Sequence, residues 1–270
     1  MKLTVLMDNH TYIDRYYLGE PAVSYLVEDG ESAVLLDTGY SDAFMENAVR
    51  MGIDLGRVTD VVLSHGHNDH TGGLPAFLRR FAQPVRLWAH PDAFLPKRYE
   101  GQDVGSPVSI AALPAQVQTR LFAKPAAVSD HVLFLGEIPR VYAFERERGI
   151  GETISCACGN DWERDELRDD TSLALTLEDG VFIVAGCAHA GVCNTVAFAK
   201  QATGQERVLG VLGGFHLFDT GAVLERTIAA LKELGVEKVY PAHCTSLAVK
   251  CAFLRAFDTA EVGVGLTLEW

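Results

Sequence analysis

Three features of the sequence predict an α/β protein built as a four-layer αββα sandwich. Short apolar, β-rich runs alternate with helix-period segments. That order occurs in the first third of the chain and again in the last third. Turn signals separate the runs. In the first third, Leu3–Met7 is an apolar β-rich run, Ala22–Val27 reads as a second strand and Ser32–Leu36 as a third, the last two joined by the turn Glu28-Asp29-Gly30. Ser41-Asp42 can cap a helix that carries Phe44, Ala48 and Met51 on one face. Val58–Leu63 is a short apolar run, as a buried strand shows. A helix follows from Gly73 to about Arg80, then a strand over Val85–Ala89.

The last third repeats the scheme. Ser172–Leu177 and Val181–Ala185 form a hairpin around Glu178-Asp179-Gly180, and a helix covers about Val192–Lys200. Arg207–Leu212 reads as a strand, Ala222–Leu234 as a helix and Val236–Tyr240 as a strand. Each half therefore holds a sheet followed by βα units, and two such halves stacked sheet to sheet, with helices outside, make four layers. No repeat at a fixed short period is visible. The chain reads as a single domain, 1–270, with an irregular elaboration at about 96–170. That stretch carries Pro96, Pro107, Pro114, Pro125 and Pro139. Its charge run Glu145–Arg148 and polar stretch Asn160–Asp170 read as solvated loops, either bordering the active-site mouth or forming an inert surface insertion.

The 270 residues, 48% hydrophobic and 22% charged, have the balance of a well-packed soluble protein. The formal net charge of −13 opposes a polyanionic partner, so no nucleic acid is expected. No run reaches the roughly 18 apolar residues of a membrane span, so no membrane partner is expected. Met1–Asp8 runs straight into a strand pattern without a signal-peptide core, and a cytoplasmic location is expected. The six cysteines, Cys156, Cys158, Cys187, Cys193, Cys244 and Cys251, are too sparse for a disulfide framework, and most read as buried or unreactive thiols. The expected partner is a small-molecule substrate, and the oligomeric state is left open.

The chemistry concentrates in Ser64-His65-Gly66-His67-Asn68-Asp69-His70, where three histidines and an aspartate fall within six positions. Imidazole and carboxylate are the usual donors for zinc and similar metals. A strand-to-helix turn lets such side chains converge on one point, and Gly72-Gly73 give the backbone room at the helix entrance. A polar loop enriched in histidine by chance is the competing reading, and the density of the cluster disfavours it. No serine-nucleophile elbow and no GxGxxG loop is present, so covalent serine chemistry and dinucleotide binding are unsupported.

Ser-His-x-His-x-Asp-His-Thr-Gly-Gly, here Ser64–Gly73, resembles the signature of the metallo-β-lactamase superfamily. Leu35-Leu36-Asp37-Thr38-Gly39 and Tyr240-Pro241-Ala242-His243 resemble two further motifs, so the likeness spans nearly the whole chain. Asp8-Asn9-His10, Gly186–Asn194, Gly213-Gly214-Phe215-His216-Leu217 and Pro241–Thr245 narrow it to a branch commonly labelled 7,8-dihydropterin-6-methyl-4-(β-D-ribofuranosyl)aminobenzene-5′-phosphate synthase. The resemblance implies that His65, His67 and His243 hold one metal. It implies that Asp69 and His70 hold a second, with one ligand from the Gly186–His189 turn. There His189 is favoured over Cys187, which is then a small apolar neighbour. Asp37 would orient a ligand by a hydrogen bond, the competing reading being a turn or helix cap. Many superfamily hydrolases place a histidine shortly before the strand corresponding to Val181–Ala185, where this chain has Asp169-Asp170-Thr171-Ser172.

The implied cofactor is zinc, one or two ions, with manganese or iron as alternatives. Such ions lower the pKa of bound water to around 7, so the leading activity is hydrolysis of a small molecule, a phosphoester or phosphodiester first. Asp69 would bind metal and steer the proton of that water. His216 either lines the substrate site, with a part in catalysis, or is a satisfied core histidine. Asn9, and less so His10, would border the pocket, whereas His90 and His131 read as structural or surface residues. Three alternatives stand. One is the synthase-type transfer, which joins an aminobenzoate-type acceptor to a phosphoribosyl donor with loss of carbon dioxide and pyrophosphate. Another is a redox di-iron protein, whose relatives place Glu at the position of His67 and need a flavin partner. The last is a metal-binding protein without catalysis.

Overall fold

The computed structural model describes residues 1–145, 149–154 and 161–270. Cys156, Cys158, Asn160 and residues 146–148 of the charge run lie outside the described residues. The chain forms two compact units: residues 1–123, 149–169 and 263–270, and residues 124–148 and 170–262.

The first unit is a seven-stranded sheet in the order Thr267–Glu269, Lys2–Met7, Ser24–Asp29, Ser32–Leu36, Asp60–Val62, Val85–Ala89, Val117–Leu121. The first four strands pair antiparallel and the rest parallel. Ser32–Leu36 and Val85–Ala89 are the strands their sequence predicts. The second strand runs two residues later than its apolar run, because Glu28 pairs with Ala33 and Asp29 with Ser32. Main-chain pairing carries the strand into the turn, where composition reads polar. The helices Ala43–Arg50 and Leu74–Arg80 bury Phe44, Met45, Leu74 and Phe77 against Leu6, Leu35, Val61 and Leu87. A second, four-stranded sheet joins Glu163–Arg164, Glu152–Thr153, Lys97–Tyr99 and Gln102–Asp103.

The second unit is a six-stranded sheet in the order Val239–Ala242, Val208–Gly214, Gly180–Ala185, Ser172–Leu177, Val132–Phe134, Ala126–Ala127. Pro241 is tolerated in Val239–Ala242 because that strand lies at the sheet edge. Three helices accompany the sheet: Val192–Thr203, Ala222–Glu233 and Leu247–Ala256. Val196, Leu231 and Phe253 from these helices share one core with Ile183, Val211 and Phe215. The helix Leu247–Ala256 was not expected from the sequence. Ser246 caps it by accepting a hydrogen bond from Val249 N–H at 3.3 Å. No helix among the described residues is long and apolar enough to cross a membrane.

The elaboration at 96–170 departs from the expectation of solvated loops. Glu145 is fully buried and accepts hydrogen bonds from the Cys193 and Asn194 N–H groups, at 3.2 and 3.0 Å. Its carboxylate thereby serves the first turn of helix Val192–Thr203, where unsatisfied N–H groups and the positive end of the helix dipole favour an anion. Asp165 and Asp169 are also buried, both paired with Lys97. Glu145→Ala is expected to lower stability by about 2 kcal/mol, since two buried donors lose their acceptor. Thermal unfolding checks this, and an unchanged Tm would show that the helix start is held by other groups.

Candidate metal centre

In the first unit the donors hang on one buried carboxylate. Asp37 follows strand Ser32–Leu36 and turns into the left-handed region at φ 60°, which an aspartate tolerates better than most residues. One carboxylate oxygen accepts from Ser64 N–H at 2.7 Å. The other accepts from Ser64 Oγ–H at 2.7 Å and faces His70 Nδ1, also at 2.7 Å. The strand Asp60–Val62 delivers Ser64 and His65. His67 then starts the short helix Asn68–Thr71, which presents Asp69 and His70. The H-G-H spacing has a steric cause, because a Cβ on Gly66 would stand 2.1 Å from the carbonyl oxygen of Ala93.

The network sets the tautomers. His70 Nδ1 donates to Asp37, so in the neutral ring the lone pair is on Nε2, with Asp69 Oδ2 3.5 Å away. Ser64 Oγ gives its hydrogen to Asp37, so it accepts from His65 Nδ1 at 3.0 Å. His65 Nε2 then looks at His67 Nδ1 across 3.0 Å. Two nitrogen ligands on a tetrahedral zinc ion stand about 3.3 Å apart, so this pair is spaced to share one ion. His65 and His70 are fully buried, His67 is nearly so, and the Asp69 side chain is 28% exposed.

Charge reinforces the arrangement. Burial lowers the His67 pKa to about 4 against the attraction of Asp69 and Asp169, so its ring is neutral and able to donate a lone pair at neutral pH. Burial works the same way on His70, but Asp69 and Asp37 outweigh it and hold its pKa well above 6.5. A histidine between two carboxylates attracts either a proton or a cation. Lys97 and Asp169 form a partnership that the sequence does not advertise. Lys97, buried, donates to Asp165 at 2.6 Å and to Asp169 at 3.1 Å, while Asp169 Oδ2 accepts from Gly66 N–H at 2.8 Å. Burial alone would raise the Asp169 pKa, yet Lys97, His67 and the Gly66 N–H hold it below the usual carboxylate value. Asp169 thus anchors the H-G-H turn directly. Only the distant lysine reveals this, and lysine next to Pro96 carries no signal by itself.

The second unit gathers its candidates at the ends of three adjacent strands. Gly180–Ala185 leads to Cys187 and His189, Val208–Gly214 to His216, and Val239–Ala242 to His243 and Cys244. Ala188, His216 and His243 each adopt a positive φ, at 46°, 47° and 42°. Such strain in non-glycine residues gathers at functional sites. Cys187 and His243 offer donor atoms within 4.8 Å of each other. The His189 ring lies 4.5 Å from the His216 ring, centroid to centroid. His189 and Cys187 are buried, whereas His216 is partly exposed. Asp170 accepts from Ala190 N–H at 2.8 Å, tying down the turn after His189.

Asn9 is exposed at the end of strand Lys2–Met7, and His10 N–H bonds to the buried Asp8 at 3.0 Å. His90 is buried and accepts from Asp92 N–H at 3.1 Å, a capping role, while His131 is exposed.

Comparison with known proteins places this geometry in a family. Residues 18–243 match the family described as the metallo-beta-lactamase superfamily. The chain is 27% identical to the 7,8-dihydropterin-6-methyl-4-(beta-D-ribofuranosyl)-aminobenzene-5'-phosphate synthase of Methanocaldococcus jannaschii, an alignment covering 95% of this chain and 92% of that one. It is 28% identical to Tm1679, a metal-dependent hydrolase of the beta-lactamase superfamily, with a TM-score of 0.85 over 100% of this chain and 99% of the other. A diphosphatase from the PhnP family shares the fold at 16% identity, with a TM-score of 0.56 and coverage of 100% and 97%. The α/β fold expected from the sequence is the metallo-β-lactamase fold, and the chain belongs to the metallo-β-lactamase superfamily.

Proposed function

We propose that this protein is a cytoplasmic metal-dependent hydrolase of a small phosphoester or phosphodiester, using one or two zinc ions, with manganese or iron as alternatives. The observation that carries the reading is the Asp37 network, which fixes the orientation of the His65 and His70 rings and leaves Nε2 of each as the atom for a metal. As the resemblance implies, His65, His67, Asp69, His70, His189 and His243 would be the ligands. The closeness of Cys187 to His243 supports adding Cys187 beside His243 as a donor, although residue chemistry favours His189 for the ligand from the Gly186–His189 turn. The donor set, imidazole and carboxylate with one thiol, fits zinc.

When bound, such ions act as Lewis acids and activate water at neutral pH. The protein's own residues supply the rest. Asp69, partly exposed beside His70, accepts the proton released when water attacks. His216, partly exposed beside His189, binds a substrate oxygen and can pass a proton to the leaving group. Asn9 offers its amide to the substrate. The small substrate reaches these groups by diffusion, with no nucleic acid or membrane involved.

The relationship to the synthase supports a second reading, transfer from a phosphoribosyl donor. One pair of assays separates them. Zinc-loaded protein incubated with phosphomonoesters and phosphodiesters is expected to release phosphate or alcohol, and a chelator should stop it. Release of carbon dioxide and pyrophosphate from phosphoribosyl pyrophosphate and an aminobenzoate, with no phosphoester cleaved, would replace the hydrolase by the transferase.

A further inference from the structure

Cys187 and Cys244 stand on strand ends that are not neighbours, for the strand Val208–Gly214 runs between theirs. Their sulfurs nevertheless lie 3.3 Å apart. Gly214 makes the contact possible. A Cβ there would sit 2.6 Å from Cys244 Sγ and 2.7 Å from the carbonyl oxygen of Gly186, closing the saddle across which the two thiols meet. Neither cysteine is in a disulfide. Cys187 is buried at 3% exposure, while Cys244 is partly exposed, so an oxidant from solvent meets Cys244 first. His243 immediately precedes Cys244, and its donor atom lies within 4.8 Å of Cys187 Sγ.

We infer that Cys187 and Cys244 form a reversible redox pair whose oxidation to a disulfide weakens metal binding. The metal half of this inference rests on the proposed metal centre. The chemistry balances with a peroxide as oxidant. Cys244 sulfur attacks a peroxide oxygen, the O–O bond breaks, water leaves and a sulfenic acid forms. Cys187 sulfur then attacks the Cys244 sulfur, the S–S bond forms, the S–O bond breaks and a second water leaves. Two thiols are oxidised and one hydrogen peroxide is reduced, giving one disulfide and two waters. A small dithiol reverses the step and is itself oxidised. The sulfurs need only close to about 2.05 Å, a short movement for Cys244 at the open side of the saddle. In the disulfide, Cys187 no longer offers a thiolate, and the backbone that carries His243 is tethered to the Gly186 turn.

The test uses the full-length protein, freed of metal and fully reduced, then treated with excess hydrogen peroxide. Peptide mapping without reductant is expected to show a Cys187–Cys244 link, with the mass of the protein lower by two hydrogens and restored by dithiothreitol. Zinc affinity, read by competition with a chromophoric chelator, is expected to fall by about tenfold or more on oxidation, the scale on which loss of a metal's supporting groups acts. Preloading with zinc should slow the linkage. Cys244→Ser, or Cys244→Ala if the serine variant does not fold, should keep its zinc affinity after peroxide treatment. The inference is overturned if the link does not form, if peroxide joins other cysteines instead, or if the linked protein binds zinc as tightly as the reduced one. Failure of the reduced protein to bind zinc would sink the metal centre and the metal half of this inference together. The mapped link decides the thiol half independently.

Discussion

Replacing His65 and His67 together by alanine is expected to abolish metal binding. Their facing nitrogens lie 3.0 Å apart, and both rings are buried, so the double change removes two imidazole donors from the centre of the cluster. Elemental analysis of wild-type protein grown with zinc should find metal at sub-stoichiometric level or better, and the double variant should have none. Circular dichroism would verify that the variant keeps its fold. Wild-type protein devoid of metal would refute the metal centre itself.

The second large effect concerns Asp37. Its loss is expected to weaken metal binding by about 10–100-fold, the usual consequence of removing the hydrogen-bond partner of a ligand. Alanine at position 37 would also have to hold φ near 60°, an added backbone strain of about 1–2 kcal/mol. Asp37→Asn is therefore the cleaner probe, because asparagine tolerates that conformation. An asparagine amide facing His70 Nδ1 would favour the tautomer with its hydrogen on Nε2, taking away the Nε2 lone pair. Isothermal titration with zinc measures the loss. A variant that unfolds yet keeps its metal would make Asp37 a structural residue instead.

The same network gives opposite pH signatures to the metal-free and metal-bound protein. The folded-state pKa of His70 lies above its unfolded value near 6.5, raised by Asp69 and Asp37 against burial. Protonated His70 therefore stabilises the metal-free fold fully below about pH 6.5, and that contribution is lost as pH rises through the folded pKa. A metal ion must displace that proton. Below the folded pKa, zinc affinity should fall by up to about tenfold per pH unit from this one group. Zinc titrations across a pH series check the slope, and an affinity independent of pH would show that His70 does not donate to the ion.

The sequence by itself determined the α/β character, most strands and helices, and the Ser64–His70 cluster. Each depends on local information. The run Val58–Leu63 marks a buried strand, which the fold shortens to Asp60–Val62 because Val58 closes the turn Leu55–Arg57, and metal donors spaced within six residues converge by the geometry of one turn. Tertiary structure alone decided which polar residues are buried, and why. Glu145 and Asp165 read as solvated because their neighbours in sequence are charged, yet one holds a helix start at Cys193 and the other pairs with Lys97, 68 residues away. The strand Thr267–Glu269 exists because it pairs with Lys2–Thr4 at the other end of the chain. A buried charge is stable only with a partner, and a contact between sulfurs such as Cys187 and Cys244 depends on a glycine in a third strand. Composition and periodicity carry no record of partners that distant, so these parts of the protein appear only once the chain has folded.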